Sequence, residues 1–203
     1  MKTTSFYLPL LLGSALLAGS CHAIDLTAQL PSRLSDIRAG DQRVVLQGHP
    51  VEVGQQAPDF RVVDQQFRPV ALQDFAGKPV LISVVPSIDT GTCSLQTRRF
   101  NQEVANVPDE VVMLTISTDL PFAQRRFCEQ EAVDQLQVLS DAVWRDFGSN
   151  YGLLIKDMGL LARTVILIDA KGVIRYLQQV QTLANEPDYD AVLAALNTML
   201  AEG

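Results

Sequence analysis

The run "KPVLISVVP" (78–86) constrains the fold more than any other part of the chain. It is apolar, rich in β-branched residues and shows no alternation with polar ones, so as a strand it must be covered on both faces. The segments after it supply the cover. Residues 91–106 carry Leu95, Phe100 and Val104 at helical spacing, with Arg98 and Arg99 on another face. "EVVMLTIS" (110–117) predicts a second buried strand. In "TDLPFAQRRFCEQEAV", Asp119 is placed to cap a helix and Pro121 falls near its first turn. "VLS" (138–140) predicts a short third strand, and "DAVWRDFGSNYG" a helix ending at Gly152. Residues 162–169 and 173–180 read as a hairpin around "AKG", and "PDYDAVLAALNTML" (187–200) as an amphipathic closing helix.

Ahead of the apolar run, residues 24–43 are polar and weakly patterned, and predict a loose N-terminal arm. "VVLQGHPVEV" (44–53) predicts two short strands with a turn at Gly48–Pro50, a β-hairpin extension. "GQQAPDF" (54–60) is a loop, and "RVVDQQFRPVAL" a strand-turn-strand pattern. This order specifies an α/β architecture, a central mixed sheet flanked by helices, with residues 44–203 as one domain. With 203 residues and 47% apolar content, the chain has ample material for one core.

Residues 1–23 read as an export leader rather than as part of the fold. Lys2 precedes the apolar run "FYLPLLLGSALLAG", and small residues follow. That run, broken by Pro9 and Gly13, is shorter than the roughly 20 residues that span a bilayer, so no membrane span is expected. Cleavage after Ala23 leaves a soluble exported chain beginning near Ile24, in a compartment such as a bacterial periplasm. Alternatively "LAGSC" (17–21) resembles a lipobox with Ala18 in place of the usual leucine, and Cys21 becomes a lipidated N-terminus.

The formal net charge is −7 with both signs interspersed, which argues against a nucleic-acid partner. Arg125 and Arg126, the nearest approach to a basic cluster, read as a solvated helix face. Of the three cysteines, Cys21 belongs to the leader, leaving Cys93 and Cys128. In an oxidising compartment such a pair reads first as a structural disulfide. Against that stands the position of Cys93, at a strand–helix junction in the first turn, where unpaired N–H groups and the positive end of the helix dipole favour a thiolate nucleophile. No C-x-x-C is present. His49 alone follows the leader among the histidines, in a turn at the surface, so neither a Cys–His pair nor a zinc site is supported. Phosphate-binding and dinucleotide-binding glycine motifs are also absent. These residues leave a thiolate that works without a metal or organic cofactor.

Pro86, Thr90 and Cys93 in "PSIDTGTC" match the P-x-x-x-T-x-x-C motif of the peroxiredoxins, and "APDF" (57–60) resembles the loop before their first core strands. "RRFNQ", "ISTDLPFAQRRFC" and "EPDYDAVL" resemble the thiol peroxidase subfamily in particular. The resemblance runs from Val44 to Leu200 and implies a thioredoxin-like fold. It departs from that family in the leader and the arm 24–43. By this resemblance Cys93 is the peroxidatic cysteine, Thr90 orients thiolate and peroxide, Pro86 shields the pocket, and Arg163, from a later strand, binds sulfur and peroxide oxygen. Cys128 is implied as the resolving cysteine, closing an intramolecular disulfide after local unwinding. The resemblance further implies a hydroperoxide substrate, a thioredoxin-like reductant and a homodimer formed through loops around the active site. Two other readings stay open at this point: an exported thiol–disulfide oxidoreductase, and a redox-inert domain with a structural disulfide.

Overall fold

The structure, a computed structural model, describes residues 30–202. The expected leader and Cys21 lie outside them. Within that span the expected loose arm is a correction: Ser32–Ala39 forms strand β1, paired antiparallel with β2 (Gln42–Gln47). The two-residue turn between them is Gly40–Asp41, with Gly40 at φ +60°, a conformation open to glycine and costly for residues with a Cβ. β1 reads as polar because only Ile37 is buried along it, whereas β2 buries Val44 and Leu46. The hairpin expected at 44–53 is thus displaced towards the N-terminus. After β2 the chain turns at Gly48, where a Cβ would meet the Ser149 carbonyl oxygen at 2.3 Å, and residues 51–53 are not a strand.

The remaining strands are β3 (Arg61–Val63), β4 (Pro69–Ala71), β5 (Val80–Val84), β6 (Val112–Ser117), β7 (Gln137–Ser140), β8 (Leu154–Ile155), β9 (Leu160–Leu161), β10 (Thr164–Ile168) and β11 (Ile174–Gln179). The helices are α1 (Gly91–Glu103), α2 (Pro121–Glu131), α3 (Asp146–Asn150) and α4 (Tyr189–Glu202). Among the described residues the strands form two sheets. The larger has the order β11-β10-β5-β6-β7-β3-β4, with β5, β6 and β7 parallel and the other pairings antiparallel. The smaller, β1-β2-β8-β9, carries the N-terminal hairpin.

β5 is buried along its whole length, as its composition requires. Its side chains alternate between two clusters. Val80, Ile82 and Val84 join a core built with the N-terminal hairpin, Phe60, Phe147 and Tyr151. Leu81 and Val85 join the core under α1, α2 and α4, with Phe100, Phe127, Val192 and Leu196. Both cysteines belong to the second core. Polar residues break this face in a band: Ser83, Thr115 and Ser117 lie on β5 and β6, fully buried beneath α1 and α2.

The helix expected over 141–152 is also corrected, since only Asp146–Asn150 is helical. Arg145 stands in the left-handed region at φ +58°, and the buried Asp141 carboxylate accepts the N–H groups of Phe147 (3.0 Å) and Gly148 (2.9 Å). These bonds set the start of α3 beyond Trp144. Burial, partly offset by those two bonds, pushes the Asp141 carboxyl up to about 7.

Candidate active site

β5 ends at Val84, Pro86 is buried, and residues 87–90 make a tight turn at the carboxyl end of the parallel strands. Thr90 closes the turn twice on the Ser87 carbonyl, through its N–H and its hydroxyl, both at 3.2 Å. It is also the N-cap of α1, extended at φ −101°, ψ 145°. Its hydroxyl proton is therefore committed to the turn, not to Cys93. A second clamp comes from after β6. The Asp119 carboxylate accepts the Ser87 hydroxyl at 2.7 Å and the Ile88 N–H at 2.8 Å. Asp119 was expected to cap α2. The residue before Pro121 is Leu120, so Leu120 takes the cap position and Asp119, one residue too early, is free to tie the turn.

The first α1 residue to bond back along the helix is Ser94, whose N–H meets the Thr90 carbonyl at 2.9 Å. Gly91, Thr92 and Cys93 thus hold the N–H groups that a helix start leaves without helical acceptors. Cys93 lies in this turn with no solvent exposure. Arg163, 1% exposed, donates Nη2–H to its sulfur at 3.2 Å. The guanidinium is fixed on three other sides. Nη1 donates to Gln96 Oε1 at 2.6 Å, while Nε and Nη2 donate to the Leu183 carbonyl at 3.1 and 2.8 Å. Thr92 Oγ1 donates to the Ala184 carbonyl, pinning the same loop to the helix start.

No carboxylate forms an ion pair with Arg163 among the described residues. A buried guanidinium without a counter-charge is expensive. Its neighbours Gln96 and Leu183 offer only neutral oxygens, so the Cys93 sulfur is the contact that can carry the matching negative charge.

Cys128 is not part of this cluster. It lies in α2, and its sulfur accepts Gln65 Nε2–H at 3.2 Å. Burial pushes its thiol up to about 11, with the Glu129 charge adding to that and the Gln65 bond opposing it. Both cysteines are free thiols. Arg163 precedes β10 and Gln65 follows β3, strands four positions apart in the sheet, about 19 Å at a strand spacing of ~4.8 Å.

The sequence profile of the redoxin family matches residues 52–193. The chain belongs to the redoxin family, among its thiol peroxidases. A thiol peroxidase of Oceanobacillus iheyensis is 46% identical over 164 residues, covering 81% of this chain and 99% of the relative. One from Staphylococcus aureus is 47% identical over 150 residues, covering 74% and 90%. Among solved structures, the fold resembles a peroxiredoxin-like protein from Aquifex aeolicus (TM-score 0.76, 33% identity, covering 82% of this chain and 99% of that one). It also resembles a thiol peroxidase from Chromobacterium violaceum (TM-score 0.73, 25% identity, 82% and 98%).

In this redoxin, Pro86, Thr90, Cys93 and Arg163 come together at the carboxyl end of β5, while Cys128 stands apart. Gln96 and Asp119 complete the site. Gln96 was legible only as a polar residue one turn beyond Cys93. The apolar spacing put Leu95 in the buried stripe, yet Leu95 is 47% exposed and Gln96 is fully buried, bonded to Arg163 and, through Nε2, to Ser83 Oγ at 2.8 Å. Among the described residues no group of His, Cys, Asp and Glu could hold a metal ion.

Proposed function

We propose that this redoxin is a thiol peroxidase that reduces hydroperoxides at Cys93. The observation carrying the proposal is the buried Arg163 guanidinium on the Cys93 sulfur at a helix start, without a carboxylate partner. In the first step the Cys93 thiolate attacks the terminal oxygen of the hydroperoxide. The O–O bond breaks, sulfur gains the oxygen as sulfenic acid, and the leaving alkoxide or hydroxide takes a proton to give an alcohol or water. Arg163 stabilises sulfur and the reacting oxygens in one fork. Thr90 orients the peroxide through its hydroxyl oxygen, and the buried Pro86 keeps water from the sulfenic acid.

Cys128 then resolves the sulfenic acid. Its thiol hydrogen and the sulfenic hydroxyl leave as water, and the Cys93–Cys128 disulfide forms. A disulfide holds its Cα atoms within about 7 Å, and the two cysteines sit on different helices with different partners, so each leaves its partner by local unwinding before they join. A dithiol reductant of the thioredoxin type restores both thiols and is itself oxidised to a disulfide. The separate partners of the two thiols count against a structural disulfide.

The further proposals rest on the sequence: residues 1–23 as an export leader, and a periplasmic location, either soluble or anchored by lipid on Cys21. A homodimer through loops around the active site is proposed from the family resemblance. No helix of the described residues is long and apolar enough to cross a membrane. Stopped-flow peroxide consumption by the reduced protein tests the central claim. Rapid turnover that Cys93→Ser abolishes is expected, and a Cys93→Ser protein that still consumes peroxide would refute it.

A further inference from the structure

We propose that the β3–β4 turn is a latch on α2, with Gln65 as a positioning residue that keeps Cys128 buried and so limits the rate of disulfide formation. The inference rests on the peroxidase reading above for its role in the cycle. Phe122, Arg125 and Cys128, spaced by three, form one stripe along α2, and each meets this turn. The Phe122 ring packs on Phe67 at 5.1 Å between centroids, Arg125 donates from Nη2 to the Gln65 carbonyl, and Cys128 accepts from Gln65 Nε2.

The turn is stiff. The Asp64 carboxylate accepts the N–H groups of Gln66 and Arg68 at 2.8 and 2.9 Å and Arg68 Nε at 2.6 Å. The helix beneath it is held from within by Gln124, whose Nε2 donates to Ser117 Oγ at 3.0 Å and to the Leu139 carbonyl at 2.8 Å, but its polar contacts are incomplete. Two buried polar atoms on α2, Gln124 Oε1 and Arg125 Nε, have no hydrogen-bond partner. At its far end Ala132 occupies the left-handed region at φ +52°, where glycine is the usual residue. The ring contact lies at the surface, with Phe67 43% and Phe122 61% exposed. Disulfide formation joins Cys128 Sγ to the oxidised Cys93 Sγ and releases water, so Cys128 must first leave Gln65. A hydrogen bond present only in the closed helix favours closure by about five-fold.

Gln65→Met keeps the side chain's length and removes its donor. In this variant the reaction of Cys93 with peroxide should keep its rate, whereas quenched-flow mass spectrometry should show the 93–128 disulfide forming about five-fold faster. With Cys93→Ser as background, iodoacetamide should modify Cys128 faster by the same factor. Ile37→Ala, which weakens the N-terminal hairpin away from the turn, should leave both rates unchanged, which a general loss of stability would not. Unchanged or slower disulfide formation in Gln65→Met, or unchanged alkylation of Cys128, would overturn the latch. Loss of peroxide reactivity in the wild type would instead sink the peroxidase reading. The alkylation arm needs no peroxide and tests the latch in either case.

Discussion

The Arg163 guanidinium meets the Cys93 sulfur at 3.2 Å with both residues closed off from solvent. An arginine in that position stabilises negative charge on sulfur and on an incoming oxygen far more than it would in water. It also stands in tension with stability, since no carboxylate pairs with it among the described residues.

Arg163→Met should therefore lower the second-order rate constant for peroxide by about 10²-fold or more, the range seen when one charge-stabilising donor is removed. The thermal midpoint should fall, because the Gln96 Oε1 and the Leu183 carbonyl lose the donors that satisfy them. Stopped-flow kinetics and calorimetry on the same preparation read both. A rate within three-fold of wild type would remove Arg163 from the chemistry.

Cys128→Ser should complete one turnover and stop. Intact-mass measurement after one equivalent of peroxide should show a single added oxygen on Cys93, and excess peroxide should add more. A variant that still turns over with a thioredoxin-type reductant would show that Cys128 is not the resolving thiol.

Asp119→Ala should slow the peroxide reaction by about ten-fold, since the 87–90 turn loses both of its bonds to the carboxylate. Each bond to a charged group contributes on the order of 1.5–3 kcal/mol. Helix content should not change, because Leu120 holds the cap of α2. A loss of helix signal with peroxide kinetics intact would restore Asp119 to a capping role.

The disulfide-forming step should accelerate with pH, because the Cys128 thiol is pushed up to about 11 and is almost wholly protonated at neutrality. A rise of about ten-fold per pH unit from 7 to 9 is expected, the proportionality of thiolate to hydroxide well below a thiol's pKa. A flat profile over that interval would mean that opening of α2 alone sets the rate.

Asp141 makes a stability prediction of opposite sense to the usual carboxylate. Its folded pKa, about 7, lies above that of the unfolded chain, so between about 4 and 7 the native state holds a proton that the unfolded state has released. The stabilisation is fully present below about 4 and is lost as pH rises through 7, on the order of 4 kcal/mol at most. Urea unfolding at pH 5 and 8 should show a smaller fall for Asp141→Asn than for wild type; equal falls would contradict the assignment.

Much of the fold was legible because its apolar residues follow its faces. The unbroken run at 78–86 demanded a doubly covered strand, and β5 is that strand. Apolar spacing in 187–200 matches the buried Val192, Leu196 and Met199 of α4. Two of the failures share one cause, polar residues used inside. Gln96 displaces Leu95 from the buried face of α1 because Arg163 needs a neutral acceptor there. Asp141 turns inward to start α3 and shortens a helix that composition alone would extend. The β1–β2 hairpin escaped notice because β1 buries only Ile37, although Gly40–Asp41 was a usable turn signal. At the site, Cys93 and Arg163 could be picked out from a motif, whereas Gln65, 63 positions from Cys128, carried no local mark.

The N-terminal hairpin packs with Leu30 against the core on one face of the large sheet, while Cys93 and Cys128 lie in the core on the other. The two sides are nonetheless tied by backbone: Arg38 of β1 bonds Gln181 and Leu183, and the Leu183 carbonyl holds Arg163, so the hairpin reaches the chemistry through that loop rather than through the sheet.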